Sequence, residues 1–76
     1  MRLAYLEKID PAQRMSRFYT ICVTPTLFGQ WAVVREWGRI GQAGAVREHW
    51  LDSESAASAA GTKLRRQKER RGYRAL

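Results

Sequence analysis

The residues best equipped for chemistry in this 76-residue chain gather around one stretch, EWGRIGQAG, residues 36–44. Trp37 offers a flat apolar surface on which a sugar or a base can stack, and Arg39 offers forked donors that match phosphate or carboxylate. Gly38 stands between them. Glycine at the end of a strand marks a bulge or a close approach of backbone, and a bulge would re-aim both flanking side chains toward the sheet rim. Gly41-Gln42-Ala43-Gly44 reads as a hairpin connection, where glycine tolerates positive φ. The plainer reading puts Trp37 in the core and leaves Arg39 as a solvated edge charge.

A second concentration lies in KLRRQKERRGYR, residues 63–74. Lys63, Arg65, Arg66, Lys68, Arg70 and Arg71 surround most of a helix circumference, so only a subset can meet one ligand. Arg35 and Arg47 can add to that subset from strands. The net charge is +7, from 14 bases and 7 acids. Residues 1–54 hold seven bases and six acids, whereas residues 55–76 hold seven bases and one acid. Such asymmetry points to a polyanionic partner, nucleic acid or an anionic surface, with a solvated basic tail as the alternative. Phosphate contacts of this kind set affinity and orientation but read little sequence.

Enzyme chemistry finds little to work with. There are no paired carboxylates, no nucleophile elbow and no glycine loop ending in the Lys-Ser/Thr of a phosphate loop. GRIGQAG lacks the parallel βαβ setting of a dinucleotide fingerprint. His49 has no partner that suggests a triad. One cysteine, Cys22, and one histidine supply neither a disulfide nor a four-ligand zinc site. Cys22 sits between Ile21 and Val23 and reads as an inert buried thiol. The expectation is therefore no catalytic residue, no metal and no cofactor. A single thiol and an N-terminus without an apolar core suggest the cytoplasm, and no run is long enough to span a membrane.

The elements that must position these residues follow from periodicity. Residues 3–9 alternate, with Leu3, Tyr5 and Ile9 on one side, and read as a strand. Residues 17–24, 30–37 and 45–51 read as three more. Asp52 or Ser53 caps a helix running from about 53 to 71. Ala57, Ala60 and Leu64 form its apolar stripe, which continues into Gln67, Lys68 and Arg71; there either the last two turns run past the edge of the core or long basic stems lie along it with their charges in water. Gly61 can permit close packing, and Gly72 can stop the helix. Trp31 is expected in the core, Trp50 partly buried under the helix, and Tyr73 packed back on the sheet. The fold expected is α+β, an antiparallel sheet of about four strands with one C-terminal helix on one face, as a single domain over residues 1–76.

REWGRIGQAG resembles the signature of the WGR domain. RFYTICV at 17–23, LFGQWAVVREWGRIG at 27–41 and RRGYR at 70–74 extend the similarity across nearly the whole chain, and most closely to small bacterial members. The resemblance implies a sheet with one packed helix. It also implies recognition of DNA ends or breaks, as in DNA-damage-responsive poly(ADP-ribose) polymerases. By that resemblance Trp37 is a DNA-end contact and Arg39 a phosphate or protein contact. The candidate nucleic-acid-binding set is Trp37, Gly38, Arg39, Arg35, Arg47, Lys63, Arg66 and Arg70. The partner expected is DNA bound without sequence preference, with a protein partner or a second copy docking on the WGR surface, through the sheet-edge aromatics and Arg39, as the alternative and no membrane.

Overall fold

The computed structural model describes residues 1–76. Strands β1 (Arg2–Asp10), β2 (Met15–Pro25), β3 (Trp31–Arg39) and β4 (Ala45–Leu51) precede helix α1 (Glu54–Arg70), and a two-residue strand β5 (Arg74–Ala75) closes the chain. The antiparallel sheet has the order β4-β3-β2-β1-β5. The α+β arrangement is the one the periodicity predicts. The fifth strand was not foreseen, because two residues carry no alternation to read. It pairs Ala75 with Leu6 and Arg74 with Glu7.

Helix α1 lies on one face of the sheet. Ser53 caps it, its Oγ accepting from Ala56 N–H at 3.1 Å. Ala57 and Gly61 are buried against the sheet. A Cβ at Gly61 would stand 2.5 Å from Leu3 Cδ2 and 3.3 Å from Ile21 Cγ2, so the missing side chain is what lets helix and sheet approach. The core beneath consists of Ala4, Leu6, Tyr19, Ile21, Val23, Val33 and Ala57. Trp31, Leu64 and Tyr73 pack against it, half-buried.

Two face assignments differ from the sequence reading. In β1 the buried residues are Ala4 and Leu6, while Ile9 is exposed. The register shifts between Arg2 and Ala4, so Leu3 is an extra residue. That bulge lets Leu3 reach the helix side although Tyr5 and Ile9 point away. Trp50 is not under the helix. Its neighbours Leu51 and His49 take the helix-facing positions, so alternation turns Trp50 to the open face, where it is 46% exposed and 6.0 Å from Phe28, centroid to centroid. Cys22, on the same open face, is half-buried rather than buried.

The helix ends in a hydrogen-bonded reversal. Tyr73 N–H donates to Lys68 O and Gly72 N–H to Glu69 O, both at 3.1 Å, with Gly72 at φ +98°. This stop folds Tyr73 back onto Tyr19, edge to face at 6.2 Å.

Candidate nucleic-acid interface

Alternation along the strands sorts charge between the two faces. Cross-strand partners share a face, so the helix-facing side carries Lys8, Arg17 and Arg39 in one row and Arg35 and Arg47 in another. Glu7, Glu36 and Glu48 alternate with them and occupy the opposite face. Asp10 falls on the helix-facing side, but its carboxylate accepts from Ala12 N–H. Arg17 therefore stands directly opposite Arg39 and beside Lys8, and Arg35 stands opposite Arg47. Like charges directly opposite on a sheet are destabilising, and no carboxylate offsets them here. The protein's ion pair, Arg65 with Glu69, lies elsewhere on α1.

Between sheet and helix C-terminus these charges border an open cleft of about 280 Å³ lined by Tyr19, Arg35, Trp37, Arg47 and Lys68. Trp37 stacks on Tyr19 at 6.0 Å with the rings 20° apart. The Arg35 guanidinium lies 5.5 Å from the Trp37 ring centroid, and its Nη1 donates to the Tyr19 hydroxyl at 3.3 Å. Arg35 Nε is buried without a hydrogen-bond partner. A buried donor left unpaired costs free energy. Lys68 Nζ lies 4.6 Å from the Tyr19 ring centroid. Burial, then the charges of Arg71 and Arg35, hold the Lys68 pKa below its ordinary 10.5. The cleft thus combines aromatic surface with concentrated, uncompensated positive charge, which suits an anion carried on a flat apolar body.

The structure brings three of the sequence candidates, Trp37, Arg35 and Arg47, together in this cleft. Arg39 is exposed in the adjacent row at the end of β3. Gly38 makes no bulge: its ladder runs in register with Phe18. It serves the other alternative, close approach. An added Cβ would sit 3.0 Å from Gly44 Cα. At Gly44 a Cβ would run into the carbonyl of Trp37 and touch Phe18 Cζ at 3.0 Å. Gly41, at φ +87°, makes the turn itself, with Gln42 N–H donating to Arg39 O at 3.1 Å. Lys63, Arg66 and Arg70 line a separate shallow groove on the outer side of α1, with Ser58 and Thr62, and none reaches the cleft.

Sequence reasoning missed Tyr19 and Tyr73 as site residues and left Lys68 among the helix cations. The signal for Tyr19 was present, since Tyr19 and Trp37 fall on one face once β2 and β3 are paired. Lys68 follows Leu64 along the apolar stripe, a placement that already turned it toward the sheet. No three His, Cys, Asp or Glu side chains come close enough together to hold a metal ion. No helix is long and apolar enough to cross a membrane.

The family model of the WGR domain matches residues 2–76. An uncharacterized protein, y4dW, of Sinorhizobium fredii (strain NBRC 101917 / NGR234) is 41% identical over 70 residues, covering 92% of this chain and 34% of that protein. The chain thus spans about a third of the length of this relative. No solved structure matches it significantly.

Proposed function

The chain belongs to the WGR-domain family, and from that premise and the cleft geometry we propose a nucleic-acid-binding module that engages DNA, with a preference for ends. WGR is a non-catalytic domain family associated with nucleic-acid binding. The observation that carries the reading is the group Arg35, Arg47, Lys68 and Arg71 around stacked Tyr19 and Trp37, with no carboxylate among them. Trp37 receives the terminal sugar or base. Arg35 and Arg47 take flanking phosphates. Arg39, Arg17 and Lys8 continue the charge along the sheet, and Lys63, Arg66 and Arg70 add a more distant, sequence-independent attraction.

The test is fluorescence anisotropy with a labelled short duplex, competed by a closed hairpin, at two salt concentrations. Binding is expected to weaken steeply with salt and to favour the open duplex. Trp37→Ala is expected to cost about 1–3 kcal/mol, the worth of one stacked base. Affinity indifferent to salt, to ends and to Trp37 refutes the reading.

Self-association is a second reading, favoured by one observation. The β2–β3 loop holds Leu27 97% and Phe28 77% exposed beside Trp50, on the face opposite the cleft. Thr26 Oγ accepts from Phe28 N–H and Gln30 N–H, which fixes this loop. A second copy covering this patch would give a dimer by sedimentation velocity that Phe28→Ser abolishes. A monomer at every concentration removes this reading and leaves the first intact.

A further inference from the structure

The three lysines have different surroundings. Lys8 Nζ donates to Arg71 O at 2.7 Å. Lys63 is exposed on α1. Lys68 is half-buried at the cleft, with its amine 4.6 Å from the ring centroid of Tyr19 and 5.7 Å from that of Tyr73. It makes no hydrogen bond and no ion pair, and its contacts are with these two ring faces. Burial, then the guanidinium groups of Arg71 and Arg35, hold its pKa below the ordinary lysine value. Desolvation beside other cations is how a lysine becomes a nucleophile. The neighbours complete a site for a particular substrate. Arg35 and Arg47 can hold phosphates, and Trp37 and Tyr19 supply a surface for a sugar.

We propose that Lys68 is a nucleophilic amine that captures an aldehyde-bearing sugar phosphate in this cleft. In nucleic acid that species is the ring-opened sugar of an abasic nucleotide, so the proposal rests on the nucleic-acid reading above. The Nζ lone pair forms a C–N bond to the aldehyde carbon, and the C=O π pair moves to oxygen. That oxygen leaves as water with the two amine hydrogens, and the product is a neutral imine. No oxidant or reductant enters the step. Strand cleavage is not assigned, because no carboxylate or imidazole lines the cleft to accept a proton from the sugar.

The experiment incubates the full chain with a duplex carrying one abasic site near an end, in the presence of sodium cyanoborohydride. The hydride turns an imine into a stable secondary amine, which is scored on a denaturing gel and mapped by peptide mass. A parallel arm uses 2-deoxyribose 5-phosphate. The adduct is expected to map to Lys68 and not to Lys63 or Lys8, and to fall about tenfold or more in Lys68→Arg. Far-ultraviolet circular dichroism and the urea midpoint of Lys68→Arg, compared with the parent, verify that the variant folds. An adduct spread over Lys8, Lys63 and the N-terminus, or surviving Lys68→Arg, overturns the proposal. Selective labelling of Lys68 by the free sugar phosphate but not by the abasic duplex upholds the amine and refutes the nucleic-acid reading.

Discussion

Replacing Arg35 by methionine should make the fold more stable while weakening its binding to DNA. The substitution keeps a long apolar stem beside Tyr19 and Trp37 and removes the guanidinium. Two unfavourable features disappear. One is the buried Nε with no acceptor, worth about 1–3 kcal/mol. The other is repulsion from Arg47 directly opposite and from Lys68, worth several tenths to about 1 kcal/mol. Two favourable contacts are lost. The 3.3 Å bond to Tyr19 is long, and such a bond contributes about 0.5–1.5 kcal/mol. The cation–π contact with Trp37, at 5.5 Å, contributes about 0.5–1 kcal/mol where partly exposed. The balance is a gain of about 1 kcal/mol, which raises the Tm of a domain this small by roughly 4–8 °C. Thermal unfolding followed by circular dichroism reads it directly. Salt supplies an internal control: it screens repulsion, so added salt should raise the parent's Tm more than the variant's. DNA binding should weaken, and its salt slope should shrink by about 0.9 for one phosphate contact removed. A variant destabilised by 1 kcal/mol or more refutes the argument, because Arg35 would then be a structural residue whose charge is already satisfied.

Gly44→Ala should cost about 1–3 kcal/mol, because its Cβ meets the backbone of Trp37 rather than a movable side chain; urea unfolding measures this, and a neutral result would mean the hairpin can shift without strain. Gly61→Ala gains about 1 kcal/mol of helix propensity and loses a similar amount against Ile21, so its urea midpoint should stay near the parent's. Gly61→Val, which crowds Leu3 and Ile21 further, should be clearly destabilised, and equal stability of the two would show that the helix does not rest there. Stability near pH 10 should carry two opposite slopes. Lys68 has a folded pKa below 10.5, so between the two values the unfolded chain binds more protons and stability rises with pH. Tyr5 is raised above 10.0 by its hydrogen bond to Glu7, then by burial and the Glu7 charge; above 10.0 the unfolded chain binds fewer protons and stability falls. Tyr5→Phe should remove the fall and Lys68→Met the rise, as read by urea midpoints from about pH 9 upward.

The strands and helix were legible because they carry strong local signals: β-branched and aromatic residues in β2 and β3, alternation in β4, and Ser53 before an alanine-rich run. The bulge at Leu3 was not, since an inserted residue leaves the alternation looking intact while turning the remainder of the strand over. Trp50 was misplaced for a related reason. A large aromatic suggests burial, but the neighbouring Leu51 already holds the helix-facing position. In the candidate site, Trp37, Arg35 and Arg47 could be named one by one from the chain. Their assembly with Tyr19 and Lys68 could not, because it needs the β2–β3 register and the helix-stopping reversal that folds Tyr73 back. Gly38 was legible only as one of two options, and the distinction depends on Gly44, six residues away, crossing over it.

Summing charge along the chain also concealed the feature that matters most to function. Residues 1–54 are nearly neutral in total, with seven bases and six acids, and the last 22 residues hold most of the excess. Yet the cleft takes Arg35 and Arg47 from the near-neutral part, because acids and bases alternate there at the two-residue period of a strand. Glu7 precedes Lys8, Arg35 precedes Glu36, and Arg47 precedes Glu48. Pairing in register places every base of these pairs on the helix-facing side and every acid on the other. A slip of one residue in β3 or β4 would bring Glu36 or Glu48 onto the cleft side in place of Arg35 or Arg47. Register is held by the same strands' apolar positions, Leu6, Ile21 and Val33, all fully buried. The core that stabilises the sheet is therefore also what separates its charges, and a substitution that loosens register should weaken anion binding before it unfolds the chain.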